Sequence, residues 1–385
     1  MGYEQWGAAI TGIGHATTGL RLMTNDDVAR ELRATEPQVR SWIHSEASID
    51  WWGSDDPRAK ALREKYEPKF LELTGHPLNY RSRTDRMTLW HSLLIEELRT
   101  DDQWIFERTG IRMRYWADAN TTTSDMAAEA GKRAMQMAGL TADDIDGLVV
   151  ASVSPDEPHC TPTLTGRIML KCGLGRSPSN FFFADTPEAC SSFSVAMAHA
   201  RRAIYDGTCQ NVLVIGADKM TTTRSPYDRG LVPILADDGR AVMMSRVPIE
   251  QDALPPRGFF SRAVPEFADL IIVPAGGSRI AVTPQMVANP FDRRDLMRMM
   301  GREVMNEIPP ILLPKRKGQA WQDKWADTFI PSALRHYGLP MLTIDDLSAA
   351  LSHFKAIIPH QANDRIIEII RERCQKDLGY RGIIG

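Results

Sequence analysis

The chain has 385 residues, of which 43% are hydrophobic and 25% charged, a balance typical of a globular protein long enough for two lobes. A formal net charge of −3 gives no basic surface for nucleic acid. No apolar run approaches the roughly 18 residues that a membrane span requires. The composition therefore excludes a nucleic-acid-binding protein and a membrane-spanning protein.

The cysteines indicate the compartment. The chain has five of them, and Cys160, Cys172, Cys209 and Cys374 show no metal-ligand spacing, so we interpret these four as structural and expect no metal site. Unpatterned cysteines are typical of a reducing compartment, and the first residues lack the basic start of a secretory signal. The sequence therefore predicts a cytoplasmic protein.

The start of the chain predicts a strand over residues 8–14 that ends in a glycine turn, followed by a capped helix over 25–32. Residues 33–98 are rich in Trp, Arg and Glu, and helical patches cover 57–73 and 87–98. We interpret this stretch as a helical insertion, because it breaks the strand–helix alternation that follows.

After residue 100 that alternation becomes regular. Helices are predicted over 124–138 and 162–170. Buried strands are predicted over 147–153, 181–184 and 211–217, and another begins near residue 235. Short apolar runs that alternate with helices indicate βαβ units with buried parallel strands.

The second half is predicted to follow a link over residues 248–258. It has a strand at 270–273 and helices at 292–307 and near 325–337, and then a strand at 356–358 and a helix at 364–374. We therefore divide the chain into an N-terminal half, residues 1–245, and a C-terminal half, residues 246–385.

Cys190 and His360 are the candidate reactive residues. The pattern around Cys190 predicts an apolar strand, a tight connection and a helix that starts at the cysteine. A thiol in the first turn of a helix faces unpaired N–H groups and the positive end of the dipole, which favour the nucleophilic thiolate. His360 lies between an apolar strand and another helix. A cysteine and a histidine at such junctions are the parts of a nucleophilic acyl-transfer site.

Several ordered motifs carry a family resemblance. They are TDDQWIFERTGIR at 100–112, ACSSF at 189–193, DRG at 228–230, DDGRA at 237–241, MGREV at 300–304 and PHQANDR at 359–365. Together they resemble the thiolase-fold condensing enzymes, most closely the β-ketoacyl-acyl-carrier-protein synthase III group. The resemblance covers most of the chain except residues near 33–98. It implies an α/β, thiolase-like fold with two βαβ-type halves, mixed sheets and buried helices.

The resemblance also implies the roles of Cys190 and His360. Cys190 accepts an acyl group from a thioester, and His360 stabilises developing negative charge or manages a proton. Acyl-CoA is the implied substrate, with no tightly bound cofactor. The second thioester is a malonyl group, on an acyl carrier protein or another carrier, and the implied assembly is a homodimer.

The resemblance assigns binding roles to four further residues. Trp104, Arg108 and Arg229 match positions that hold the nucleotide end of coenzyme A, and Arg365 matches a position that helps to dock the acyl carrier protein. The alternative interpretations are a packing role for Trp104 and a solvated helix position for Arg365.

Two departures from the family pattern stand out. The family's catalytic asparagine and closing C-terminal strands would follow Gly385, so we expect them to be missing from this sequence. The sequence is then truncated, or cysteine and histidine work alone, or the site does not turn over. Ser192, Asp238 and Arg240 replace small residues, and Arg240 is expected to place a large cation in a crowded segment.

The leading hypothesis is acylation of Cys190 followed by decarboxylative condensation with a malonyl thioester, in fatty-acid or polyketide-type biosynthesis, with acylation faster than condensation. The second is an O- or N-acyltransferase of the same fold that uses Cys190 and His360 without condensation. The third is a non-turnover partner subunit of a ketosynthase. A sterol-pathway type of synthase would also need a glutamate, for which Glu157 is the nearby candidate.

Overall fold

A computed structural model of the chain describes residues 6–175, 180–249, 259–313, 328–339, 344–352 and 354–384. The elements of the first half, in chain order, are β1 (Trp6–His15), β2 (Leu20–Thr24), α1 (Asn25–Ala34), α2 (Glu36–Ile43), α3 (Glu46–Trp52), α4 (Pro57–Thr74), α5 (Arg83–Ser92), α6 (Asp102–Thr109), β3 (Met113–Ala117), α7 (Thr123–Met137), β4 (Gly147–Ala151), α8 (Leu164–Cys172), β5 (Phe182–Thr186), α9 (Ser192–Tyr205), β6 (Asn211–Lys219) and β7 (Asp237–Pro248).

A five-stranded mixed sheet in the order β1-β7-β6-β4-β5 forms the frame of this half. Strand β4 pairs in parallel with both β5 and β6, whereas β7 runs antiparallel to β6 and to β1. All five residues of β4 are buried, as expected for a parallel strand covered on both faces. The carboxyl ends of β4, β5 and β6 therefore meet at one edge of the sheet.

Helices cover both faces of the sheet, and the strands alternate between them. Leu148 and Val150 of β4 pack on the side of α7 and α8, whereas Val149 and Ala151 pack on the side of α9. Burial of each of the leucine and valine side chains stabilises the fold by about 2 kcal/mol. Thr122 caps α7 because its hydroxyl accepts the N–H of the third helical residue.

Residues 33–98 are mainly helical and have an aromatic core of their own, which contains Trp42, Trp52, Tyr66 and Trp90. Phe291 from the second half joins this core, where its ring stacks on Trp51 with centroids 5.9 Å apart. The helical insertion, residues 33–98, is thus packed against the second half through aromatic surfaces.

The second half has short strands and a helical core. Its elements are β8 (Ile271–Ile272), α10 (Pro284–Ala288), β9 (Arg298–Met299), α11 (Gly301–Leu312), α12 (Phe329–His336), α13 (Ile344–Ser352), β10 (Ala356–Ile357), α14 (Asp364–Glu372) and β11 (Ile383–Ile384). Strand β10 pairs in parallel with β11, next to a core of Leu347, Leu351, Ile367 and Ile370.

Of the elements predicted after β7, one helix has a different start in the structure, and parts of the predicted link and of another helix lie outside the described residues. The helix predicted over 292–307 is confirmed for residues 301–307, which lie in α11, but its start is wrong, because residues 292–299 form a turn and β9. Asp292 holds that turn by accepting bonds from Arg294 at 2.6 Å and from Arg298 at 3.2 Å. Most of the predicted link, residues 250–258, lies outside the described residues, as do 325–327 of the helix predicted near 325–337.

Arg240 is the second correction. Its side chain is 63% exposed and bonds Asp238 at 3.0 Å, so the cation lies in solvent at the start of β7 and not in a crowded segment. Asp238 also bonds the ring of His15 at 2.9 Å. Among the described residues, no helix is both long and apolar enough to cross a membrane.

Helix α7 lies very close to β1, which leads to a stability prediction. A Cβ added to Gly14 would lie 1.9 Å from the carbonyl oxygen of Ala130 in α7. Because that contact is with backbone, the helix would have to move. We expect Gly14→Ala to lower the free energy of unfolding by about 2 kcal/mol or more, measured by urea denaturation. Gly277→Ala is the matched control, since no atom lies within 4 Å of its added Cβ. Equal losses in the two variants would contradict this account.

Candidate active site

Cys190 lies in a tight turn at the carboxyl end of β5. A 3-10 turn over Ala189–Ser191 leads directly into α9. Ala189 has φ of +51°, in the left-handed region that residues other than glycine rarely adopt. Strained backbone of this kind persists only where the surroundings hold it, and it clusters at functional sites.

Hydroxyl groups hold this turn in place. Ser191 donates to the carbonyl of Glu188 at 2.8 Å, and Ser192 donates to the carbonyl of Ala189 at 2.7 Å. Thr186 at the end of β5 donates to the carbonyl of Val150 in β4 at 3.0 Å. Ser192 stands where glycine is usual in the family that the motifs resemble. Its hydroxyl group bonds the carbonyl of Ala189 and so helps to hold that strained residue in place.

The expected thiolate-favouring setting of Cys190 needs correction. The helix begins at Ser192, so the thiol lies in the turn before it and not in its first turn. The side chain is exposed at the surface of the chain. Even so, desolvation by the protein atoms around the sulfur raises the pKa of the thiol; its own backbone N–H opposes this, and Asp218 adds to it. The resting thiol is protonated more readily than an ordinary cysteine.

Asp218 is a site residue that the sequence analysis missed. It lies near the end of β6, and its Oδ1 accepts bonds from the N–H and hydroxyl of Ser154 at 3.1 and 2.8 Å. The same oxygen accepts the N–H of Val153 at 2.8 Å and the hydroxyl of Ser152 at 3.0 Å. Desolvation raises the pKa of this carboxyl, against these bonds. Asp218 thus ties the loop after β4 to β6, at the edge where Cys190 lies.

His360 follows β10, as the sequence predicted. Desolvation by surrounding atoms lowers the pKa of its imidazole. A neutral ring has one nitrogen that accepts a proton and one that donates a hydrogen bond. His360 is thus suited to take a proton or to donate to an oxyanion. The structure shows no hydrogen bond between His360 and Cys190.

Trp104, Arg108 and Arg229, which the resemblance assigned to the nucleotide end of coenzyme A, lie together in a second cluster. Trp104 is half-buried on α6, and the guanidinium of Arg108, one helical turn later, lies 4.2 Å from its ring centroid. The guanidinium of Arg229 lies 5.0 Å from the same ring. A tryptophan face flanked by two guanidinium groups can stack a planar base and hold phosphates.

The histidine segment is attached to the helix that carries Trp104. Arg365, at the start of α14, donates to the carbonyl oxygens of Phe106 and Glu107 at 3.0 and 3.1 Å. The amide of Asn363 bonds the carbonyl of Arg108 at 3.4 Å. These groups satisfy carbonyls in the last turn of α6, which a helix leaves unpaired. The contact places the segment of His360 beside the Trp104 cluster.

Two further candidates have structural partners. Arg365 also pairs with Glu368 at 2.8 Å and is only 30% exposed, so most of its bonding capacity is used inside the chain. Glu157 is paired with Arg167, although its Oε2 is buried without a partner among the described residues. No group of three His, Cys, Asp or Glu side chains in the described part of the chain could hold a metal ion.

Comparison with known proteins identifies the family. Residues 184–255 match the model described as 3-oxoacyl-[acyl-carrier-protein (ACP)] synthase III. The chain is 31% identical over 276 residues to the β-ketoacyl-[acyl-carrier-protein] synthase III of Caldanaerobacter subterraneus, an alignment that covers 72% of each chain. This chain belongs to the β-ketoacyl-acyl-carrier-protein synthase III family. It is also 39% identical over 181 residues to such a synthase from Streptomyces coelicolor, across 46% of this chain and about half, 51%, of that relative.

Solved structures confirm the fold class. The 3-oxoacyl-(acyl carrier protein) synthase III of Pseudomonas aeruginosa superimposes with a TM-score of 0.60 at 20% identity, over 98% of this chain and 82% of that one. The priming β-ketosynthase of the R1128 polyketide pathway gives 0.59 at 20% identity, over 99% and 81%. The mixed α/β, thiolase-like fold predicted from the motifs is therefore correct. The family is one of condensing enzymes, which are transferases that act on acyl thioesters.

The effect of Asp218 on the thiol leads to a pH prediction. A negative charge near the sulfur disfavours the thiolate and raises its pKa, so Asp218→Asn should lower it. We expect the alkylation of Cys190 by iodoacetamide to reach its half-maximal rate at a lower pH in this variant. The asparagine Oδ1 can still accept the bonds of the 152–154 loop, so the turn should persist.

Peptide mass spectrometry would separate Cys190 from Cys160, which is also exposed. Asp206→Asn is the matched control, because that exposed carboxylate raises the pKa of Cys209 and not that of Cys190. A shift of the Asp218→Asn profile to higher pH would contradict the assignment.

Proposed function

We propose that this chain transfers an acyl group from acyl-CoA to Cys190 and then condenses it with a malonyl thioester, with loss of carbon dioxide. The setting is fatty-acid or polyketide-type biosynthesis in the cytoplasm. One observation carries the proposal: the segment of His360 is bonded to α6, the helix whose Trp104 and Arg108 form the nucleotide-binding cluster. Family membership supports the same reaction class.

The first step is acylation. The Cys190 sulfur attacks the thioester carbonyl, the sulfur of CoA leaves, and the acyl group is now bonded to Cys190. Because desolvation and Asp218 favour the protonated thiol, the attack needs a base for the thiol proton, and a neutral His360 can accept it. The imidazolium then gives this proton to the departing CoA sulfur, so CoA leaves as the thiol and the ring is neutral again. Backbone N–H groups in the turn before α9 would stabilise the oxyanion.

The second step is condensation. The malonyl thioester loses carbon dioxide, and the electron pair of the broken carbon–carbon bond forms an enolate. The α-carbon of this enolate attacks the acyl carbonyl on Cys190. The bond to sulfur breaks, and Cys190 leaves as the thiolate. A neutral imidazole that donates its N–H to the enolate oxygen lowers the barrier to this step. Because desolvation lowers the pKa of His360, its ring stays neutral at somewhat lower pH than an ordinary histidine does.

A homodimer and a carrier protein belong to the same proposal. Strand β5 is an edge strand of the sheet, since β4 is the one strand that pairs with it in the described part of the chain. Phe183 on this strand is 57% exposed. An exposed aromatic on an open edge favours pairing with a second chain.

The docking role of Arg365 remains part of the proposal, supported by its position beside α6.

Acylation is the first test. Incubation with a panel of acyl-CoAs should add the acyl mass to the intact protein, and Cys190→Ala should abolish the gain. Cys160→Ala should retain it, because Cys160 is an exposed thiol outside the site. Malonyl thioester should then discharge the acyl group with release of carbon dioxide, about 100-fold more slowly in His360→Ala.

Each alternative gives a different result in this experiment. Discharge to an alcohol or an amine without carbon dioxide indicates an acyltransferase. An unchanged mass with every donor indicates a non-turnover subunit and would falsify the proposal.

The nucleotide cluster gives a second test. Base stacking on an aromatic ring contributes roughly 1–3 kcal/mol, so Trp104→Ala should raise the KM for acyl-CoA about tenfold. The KM for an acyl-pantetheine, which has no nucleotide, should not change. Trp6→Ala is the matched control, because it removes a Trp–Arg stack on β1, where Arg246 lies 5.5 Å from the ring. Equal effects on both substrates would assign Trp104 a packing role.

A further inference from the structure

The helical insertion contains a basic cleft of about 610 Å³ that the reaction described above does not use. It lies between α1, α2, α5 and the segment that follows α5. Trp90 and Ile95, both buried, are among the apolar residues that line it. The polar side chains that line it are Arg33, Glu36, Arg40, Ser41, His44, His91 and Arg99.

The charges in this cleft are unbalanced. Its lining includes three guanidinium groups, and Glu36 is the one carboxylate among its described lining residues. Glu36 is 3.7 Å from Arg99. Arg33 and Arg40 have no ion pair with any described residue. Repulsion of this kind destabilises a fold unless an anion neutralises it, and guanidinium groups bind phosphate well because their forked donors match its oxygens.

His44 is an independent sign of a ligand. Its Nδ1 is buried and has no hydrogen-bond partner among the described residues. Buried polar atoms are nearly always paired, so an unpaired one in a cleft indicates a missing partner. Desolvation, followed by nearby cations that include Arg40, lowers the pKa of this histidine. An anion in the cleft would reduce that repulsion and could accept a bond from the ring.

The cleft adjoins the nucleotide cluster through one side chain. Arg229 donates to the backbone carbonyl of Arg99 at 3.0 Å and to that of Glu96, while its guanidinium lies 5.0 Å from the Trp104 ring. The backbone of Arg99 thus borders both places. A ligand whose base lies on Trp104 could extend a phosphate toward the insertion.

We propose that the helical insertion forms a phosphate-binding site at Arg33, Arg40, His44 and Arg99. The ligand is a phosphate monoester. This phosphate belongs either to a CoA, as its 3′-phosphate, or to a free phosphorylated molecule. The first source rests on the proposed function, in which the base of CoA lies on Trp104. The concave shape favours a small anion over the convex acidic surface of a carrier protein.

The test is titration calorimetry of the full chain with inorganic phosphate, CoA and dephospho-CoA, which lacks the 3′-phosphate. The variant is Arg33→Gln combined with Arg40→Gln, since both arginines are exposed and glutamine keeps helix propensity. The control is Lys60→Gln combined with Arg81→Gln, which removes the same charge from exposed positions of the insertion outside the cleft.

We expect the affinity for inorganic phosphate to fall at least about tenfold in the cleft variant and to stay within twofold in the control. If the CoA phosphate is the source, the affinity for CoA falls equally and that for dephospho-CoA does not. If a free phosphate compound is the source, both CoA affinities are unchanged.

Unchanged phosphate affinity in the cleft variant overturns the proposal. Unchanged phosphate affinity with slower reaction of a carrier-protein thioester also overturns it, in favour of a protein-docking surface. Acylation of Cys190 measured on the same samples distinguishes the two proposals. If the unmodified chain is not acylated, the proposed function is wrong. Loss of phosphate binding in the cleft variant would still establish the cleft as a phosphate site.

Discussion

Parallel pairing of β4 with both β5 and β6 is the constraint on which the candidate site depends. It brings the carboxyl ends of three neighbouring strands to one edge of the sheet. The ends of these strands lead to the loop at 152–154, the turn of Cys190 and Asp218. The central strand, β4, is buried along its whole length, and the pairing of β5 and β6 with it fixes the edge that holds Ala189 in its left-handed conformation. Antiparallel pairing would place the Cys190 turn and Asp218 at opposite ends of the sheet.

The candidate site combines a thiol and a carboxylate, and both are charged less readily than usual. Desolvation disfavours charge on both Cys190 and Asp218, and the charge of Asp218 also disfavours the thiolate. The four hydrogen bonds to Asp218 Oδ1 partly offset the desolvation of that carboxyl. The same bonds hold the 152–154 loop in place. Both effects favour the protonated thiol at rest, which is why the proposed function requires a base to accept the thiol proton during attack.

The sequence predicted those parts of the fold that local patterns encode. The buried run of β4, the amphipathic α7 and the junctions at Cys190 and His360 all lie in short segments, and the family motifs supplied the fold class. The predicted pKa direction of Cys190 was wrong because the main cause of the raised pKa is desolvation by the folded chain, to which Asp218 on another strand adds, and neither can be seen in the local sequence. The start of the helix predicted over 292–307 was wrong because ion pairs of Asp292 with Arg294 and Arg298 stabilise a turn against helix propensity, whereas residues 301–307 are helical as predicted. Arg240 was misplaced because the outward direction of a side chain on β7 depends on strand register.

The helical insertion is joined to the rest of the chain where the proposed substrate would bind. Its aromatic core packs on Phe291, and the backbone carbonyls of Glu96, within it, and of Arg99, directly after it, accept bonds from Arg229. That guanidinium also faces Trp104, at 5.0 Å. A base stacked between them needs about 3.5 Å on each side, more space than the two groups now leave. Binding must therefore move Arg229 or Trp104. Because Arg229 is bonded to the insertion, its movement would either break those bonds or carry the segment at 96–99 with it. Under the proposed function, a nucleotide at this cluster and the position of the insertion would thus be coupled through one side chain, which would give ligands at the two places a reciprocal effect on each other's affinity.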